Sequence, residues 1–440
     1  MTIPIRALDR PAVPPEPYQL FVISSLTLAI SLGLVLAVLV PLSRLFEWRL
    51  EDSRPDMAQV HGEVQAVGFA GLFIIGLALR LMPRFAHTEL RFPVLILPIW
   101  GLIVAALLTR ALVVIWLPDD LHSAGVLAVE LSLLFAAGCF ASIVWATLLP
   151  SRASSEATSW FFLVGAALFL LQALLGTFIA LHELRDDTHV FSYLPSASRL
   201  YLLLGGFVVA FVGGVSGRAL PVMAGLPRSD RAGRIVAVAL LIDLLVLAGA
   251  LFYLEYATYT SGAVEIANLA LAGLGIIYGA VVWLTGLFRQ AANRLRPASQ
   301  PHLWLVRSAF GWLALAAALA VYLGVKGLAD DALPSFYAVD GLRHALGLGV
   351  ATILIAGMGL LILPEFANER LDKPDQSRLS YVLLVLLNAA ALLRVGSALA
   401  SPDLDGDVRL AMQSSAGLLA EAALIVLVWS YVRLIRLGNS

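Results

Sequence analysis

The chain has 440 residues, of which 60% are hydrophobic and 13% charged, and its mean hydropathy is +0.89. No water-soluble core needs apolar residues at that density, so a soluble enzyme or binding module is excluded; the lipid bilayer is the expected partner, and nucleic acid is not. The net charge of −1 decides nothing, because a total conceals how charge is divided between loops.

In chain order, a Pro-rich segment carrying Arg6 and Arg10 (residues 1–17) precedes about twelve apolar runs long enough to span a bilayer. They cover roughly 18–42, 60–84, 92–116, 122–149, 159–182, 198–223, 232–256, 263–288, 301–325, 341–364, 378–400 and 411–436. The first run is too long for a signal-peptide core and no cleavage site follows it, so it is expected to remain as the first helix. Basic residues collect in alternate loops, among them Arg84, Arg152, Arg228, Arg231, Arg234, Arg289 and Arg370. The opposite loops are acidic or short, with Asp119, Asp120, Asp186, Asp187, Asp330 and Asp331. The positive-inside rule then places both termini in the cytoplasm, at a bacterial inner membrane. The single cysteine, Cys139, excludes an intrachain disulfide and any multi-cysteine metal site.

Three stretches align over nineteen residues without a gap: Gly68 to Ala86, Gly206 to Ala224 and Gly349 to Ala367. Their prolines, Pro83, Pro221 and Pro364, lie 138 and 143 residues apart, about the length of four crossings with loops. The expected architecture is therefore all-α, with four-helix repeats over 18–150, 151–290 and 291–440 forming one pseudo-threefold membrane domain. The shared glycines, such as Gly68 and Gly76, fall on one helix face and read as close-packing positions. The prolines read as helix ends.

Chemistry is sought where the copies differ. His61 stands twenty-two residues before Pro83 and His344 twenty before Pro364, whereas the equivalent part of the sixth helix offers Arg199 and Tyr201. A two-residue offset is about 3 Å along a helix, so two imidazoles could approach a planar cofactor from opposite faces. Haem iron accepts that arrangement, and intramembrane ionisable groups tend to be functional; the plainer alternative is a pair of polar interface residues. His122, His182 and His189 lie toward the outer surface. They offer at most a loosely spaced copper or iron site.

Charges inside the spans also recur: Arg110 and Glu130 in the third and fourth helices, Arg394 and Glu421 in the eleventh and twelfth. Sequential antiparallel helices at comparable depth suggest the pairs Arg110 with Glu130 and Arg394 with Glu421. Such pairs either fix packing or leave Arg110, Arg199, Arg343 and Arg394 near anionic haem propionates, where a guanidinium forms directional bonds. Glu265 has no such arginine, and Asp243 is near the centre of the seventh helix. Arg80, Arg218 and Arg307 are expected only to snorkel.

Twelve helices in three groups of four, with histidines entering the second and tenth, resemble the main subunit of the haem–copper oxidase and nitric oxide reductase superfamily. The run from His61-Gly62-Glu63 through Gly68-Phe69-Ala70-Gly71-Leu72-Phe73 to Leu81-Met82-Pro83-Arg84-Phe85 looks more like the NnrS family of haem-containing membrane proteins linked to nitric oxide stress. Leu303-Trp304 with Trp312-Leu313, and Arg343-His344-Ala345-Leu346, are similar to that family's ninth and tenth segments. The resemblance implies haem b held by His61 and His344 as axial ligands. It also implies electron transfer or a nitric oxide response, with any enzymatic activity that of a haem-dependent oxidoreductase. Oxidases draw copper ligands from helices six and seven, where this chain has no histidine, so an oxidase-type dinuclear site is not expected. Glu63 stands where NnrS relatives often carry the second histidine of His-x-His. A redox partner on the outer face, a homo-oligomer or membership of a respiratory complex all fit. The rivals are a twelve-helix secondary transporter, against which a threefold parallel repeat counts, and a cofactor-free structural subunit.

Overall fold

The computed structural model describes residues 17–48, 54–116, 119–186, 192–224, 228–257, 260–288, 302–366, 373–401 and 403–438. These residues are helical, with turns and short 3-10 segments between the helices and no strand among them. Twelve helices are long and apolar enough to cross a membrane. They are α1 (Pro17–Leu45), α2 (Asp56–Ala86), α3 (Pro93–Val113), α4 (Leu121–Leu148), α5 (Ala157–Arg185), α6 (Tyr193–Pro221), α7 (Asp230–Tyr256), α8 (Ser261–Leu284), α9 (His302–Asp330), α10 (Phe336–Leu360), α11 (Gln376–Leu399) and α12 (Gly406–Ser430). Each sits on an apolar run read from the sequence, because in hydrocarbon only a helix satisfies every backbone group within its own segment.

Burial separates the helices into two sets. The apolar windows of α2, α6 and α10 are 72%, 83% and 72% buried, against 33–61% for the other nine. Those nine touch in a closed order: α1, α3, α4, α5, α7, α8, α9, α11, α12 and back to α1. The three buried helices touch one another inside that ring. Apolar residues facing outward, such as Leu112 on α3, Phe135 on α4, Ile276 on α8 and Val385 on α11, are exposed, as a lipid-facing surface requires.

Close approach rests on the glycines that the aligned segments share. At Gly76 a Cβ would stand 2.7 Å from the Phe21 Cβ and 3.0 Å from the Tyr18 carbonyl oxygen, so α1 lies directly on α2 there. Small residues permit such contact where no hydrophobic force drives helix association.

Each of the three inner helices carries a π-helical stretch in or just before its aligned segment: Val64–Gly71 in α2, Tyr201–Val208 in α6 and Ala345–Thr352 in α10. These stretches meet at the centre. A fourth, Ala29–Gly33, interrupts α1. Wide turns disturb the regular hydrogen-bond ladder, and side chains take up carbonyls in these stretches. The Thr352 hydroxyl donates to the Gly347 carbonyl at 3.0 Å, and the Tyr278 hydroxyl of α8 donates to the Gly205 carbonyl at 3.2 Å.

Candidate functional site

The site begins at the π turn of α1. The Leu34 N–H bonds the Ala29 carbonyl, and the Gly33 carbonyl accepts a hydrogen bond from His61 Nδ1 at 2.8 Å. A carbonyl can only accept, so His61 carries its proton on Nδ1, and Nε2 presents a lone pair. His344 stands directly before the π stretch of α10. Its Nδ1 lies 2.9 Å from the Asp340 carbonyl and 3.2 Å from the Asp340 carboxylate, again acceptors, so in the neutral ring Nε2 is the bare nitrogen there too. Nε2 of neither ring has a hydrogen bond among the described residues. Asp340 also receives Arg394 Nη2 at 2.8 Å, tying α10 to α11. His344, Asp340 and Arg394 all lie within electrostatic reach of His61.

Beside the histidines lies a buried network of two arginines and two glutamates. Glu63, two residues after His61, receives Arg110 Nε from α3 at 3.3 Å and Arg199 Nη1 from α6 at 3.5 Å. Arg199 Nη2 also reaches Glu130 of α4 at 2.9 Å, and Arg110 Nη2 donates to Gln59 at 3.3 Å. The Glu130 backbone carbonyl accepts from the Thr177 hydroxyl at 3.3 Å. The Arg110 and Glu130 side chains are fully buried. An unpaired charge at the centre of a membrane helix costs about 2.5–3.5 kcal/mol on insertion scales; equal numbers of opposite charges in contact offset that cost.

The pairing differs from the sequence expectation at both places. Arg110 is paired with Glu63, and Glu130 with Arg199; Arg394 is paired with Asp340, while Glu421 is half-buried and its Oε2 has no hydrogen bond. The inner helices supply the partners: α3, α4 and α11 direct these charges toward α2, α6 and α10, which the outer ring surrounds. Glu265 is exposed on α8. Arg80 lies over the Tyr18 ring at 4.6 Å, Arg307 over Trp304 at 5.9 Å, and Arg218 is held by Glu156 and the Phe85 ring at 4.8 Å. All three have specific aromatic contacts, beyond the snorkelling expected.

The four arginines picked out from the sequence therefore divide. Arg110 and Arg199 bind Glu63, Glu130 and Gln59. Arg343 lies over the Tyr193 ring at 5.5 Å, and its buried Nε and one terminal nitrogen, Nη2, have no hydrogen-bond partner; nor has Nη1 of Arg394. Spare buried donors beside His344 suit an anionic group. Two imidazoles with bare Nε2 atoms and two guanidinium groups with unused N–H bonds fit the donor requirements of haem, its iron and its carboxylates.

The outer histidines behave otherwise. His122 Nε2 is 4.0 Å from Asp56 Oδ1, the His182 ring packs on Tyr256 at 4.7 Å, and His189 lies outside the described residues. Among the described residues no group of three His, Cys, Asp or Glu could hold a metal ion.

Sequence reasoning did not reach Gly33, Gln59 and Asp340, and it read Glu63 only as a departure from a histidine. Asp340 carries a legible signal, four residues before His344 and thus on the same helix face. Glu63 lies two residues from His61, which marks it as local but does not name its arginines. Gly33 carries none, because its carbonyl is claimed only where α1 meets α2.

The geometry defines a polytopic α-helical protein with membrane-spanning dimensions, a pair of partly buried histidines and a buried arginine–carboxylate network. No protein-family model matches the chain, and no curated protein matches it significantly.

Proposed function

We propose that the chain is a haem-b-binding integral membrane protein of the NnrS type, with His61 and His344 as the axial ligands. The observation that carries this reading is the matched anchoring of the two rings. Each Nδ1 donates to a fixed acceptor, the Gly33 carbonyl or Asp340, so that each Nε2 keeps its lone pair. Metal-ligating histidines are oriented in this way, with the second nitrogen held by a carbonyl or carboxylate. When bound, haem supplies one-electron and diatomic-ligand chemistry. The chain's residues bind and orient it: Asp340 fixes the His344 ring and is itself held by Arg394, while Arg343 and Arg394 offer spare donors to the haem carboxylates. Haem held by both His61 and His344 would favour electron transfer over reaction with a gas such as nitric oxide.

The same reading takes the three inner helices and their π stretches as equivalent members of three four-helix repeats, pseudo-threefold and similar to the main subunit of haem–copper oxidases. In α6 the position equivalent to His61 is Arg199, committed to Glu130 and Glu63; this supports a haem site without an oxidase-type dinuclear copper centre. The location that goes with it is a bacterial inner membrane, both termini cytoplasmic. The test is haem content after purification of His61→Ala, His344→Ala and the double variant. Each single variant should lose most of its haem, and full retention by the double variant would refute the ligand assignment.

A further inference from the structure

Asp243 stands at the middle of α7, thirteen residues from Asp230 and thirteen from Tyr256, so about 20 Å of helix separates it from either end. Leu240 and Leu244 are buried against the bundle, whereas Ile242, Leu245 and Val246 are exposed on the lipid side; Asp243 lies at the border of the two faces and is half-buried. Its carboxyl occupies the seam between α7 and α8. Gly273, near the middle of α8, makes room for it, because a Cβ there would stand 2.5 Å from Asp243 Oδ1. Ile276, a turn further along α8, is exposed as well. Oδ2 is buried without a hydrogen-bond partner, and among the described residues no cation stands near enough to act on the carboxyl. Tyr278 is within electrostatic reach, but its hydroxyl donates to the Gly205 carbonyl at 3.2 Å.

We propose that Asp243 is a lipid-accessible acid site: a protonated carboxyl in the seam of α7 and α8, open to uncharged molecules dissolved in the bilayer and modified by a hydrophobic carbodiimide. An ionised carboxylate at the middle of a span needs a countercharge. Glu63, Glu130 and Asp340 each have an arginine, and Asp243 has none; the form its surroundings admit is the acid. That form is the one a carbodiimide requires. The carboxyl proton passes to one nitrogen, the carboxylate oxygen adds to the central carbon, and the acyl group then migrates from oxygen to the other nitrogen, leaving a stable N-acylurea with every atom retained. The site lies on the outer ring of helices and does not depend on the haem assignment.

Dicyclohexylcarbodiimide is the probe. Applied to the full chain in lipid vesicles, it should form an adduct on the peptide that contains Asp243, read by mass spectrometry, and the adduct should be lost in Asp243→Asn. A water-soluble cationic carbodiimide, given with a glycine ester as nucleophile, should modify Asp243 about tenfold less or weaker still, because its charge keeps it from the middle of the bilayer. No adduct at Asp243 in the native chain, equal modification by the two reagents, or an undiminished adduct in Asp243→Asn would overturn the proposal.

Discussion

Gly176, on α5, tests the buried charge network without touching a charged residue. A Cβ placed there would collide with Glu130 Oε2 and come within 2.7 Å of the Arg199 Cζ and Nη2 atoms. The side chains of Glu130 and Arg199 are 0% and 8% exposed, so neither tip has solvent to move into. Overpacking a tight interior costs about 1–3 kcal/mol, and breaking a buried pair outright costs about 3–5 kcal/mol. A methyl group separates the pair without removing a partner, which places the penalty of Gly176→Ala near 2–4 kcal/mol. The better helix propensity of alanine returns about 1 kcal/mol, leaving a net loss near 1–3 kcal/mol. The control is Gly138→Ala on α4, where a Cβ meets nothing within 4 Å; it should be neutral or slightly stabilising. Denaturant unfolding in detergent micelles, followed by circular dichroism, measures both. A cycle completes the test: in a Glu130→Ala, Arg199→Ala background, the Gly176→Ala penalty should fall below about 1 kcal/mol, because the side-chain tips it displaces are gone. An undiminished penalty in that background, or equal stability of Gly176→Ala and Gly138→Ala, would refute the role given to this glycine.

Glu63→Gln removes the carboxylate shared by Arg110 and Arg199 and leaves the network with two guanidinium charges and the single carboxylate of Glu130; a loss of about 3–5 kcal/mol is expected in the same unfolding assay. A double-mutant cycle between Glu63→Gln and Arg110→Met should show coupling of about 1 kcal/mol or more, and strict additivity would remove the pair from the account. Asp340→Asn strips the charge that steadies His344 and Arg394, and haem retention should fall about 10- to 100-fold while Glu421→Gln leaves it unchanged. Gly76→Ala should cost about 1–3 kcal/mol through the contact of α2 with α1, with no effect on the optical spectrum of the protein that folds.

The twelve spans were legible because the bilayer imposes length and apolarity on each segment separately. Partner choice was not, because it depends on which helices go inside. Arg110 and Glu130 are sequential antiparallel neighbours, yet α2 and α6 supply their ion-pair partners, Glu63 and Arg199. The same holds for Arg394, whose carboxylate comes from α10 and not from the following helix. His61 and His344 stood out in the sequence as positions where the copies disagree. Their anchors could not: the Gly33 carbonyl is set by a π turn and a helix contact, neither of which has a residue signature. The shared glycines were legible as packing positions, and a Cβ at Gly76, Gly214 or Gly349 would meet Phe21, Phe161 or Trp312 within 3 Å.

The haem assignment requires that His61 and His344 hold one haem between them. The most direct measurement is the reduced-minus-oxidised optical spectrum of detergent-purified protein, recorded with and without nitric oxide, for the native chain and for His344→Ala. The native protein should give a six-coordinate b-type spectrum, little altered by nitric oxide, and the variant a diminished, gas-sensitive haem signal. A native protein with no Soret band, or a native and a His344→Ala spectrum that coincide, would contradict the assignment.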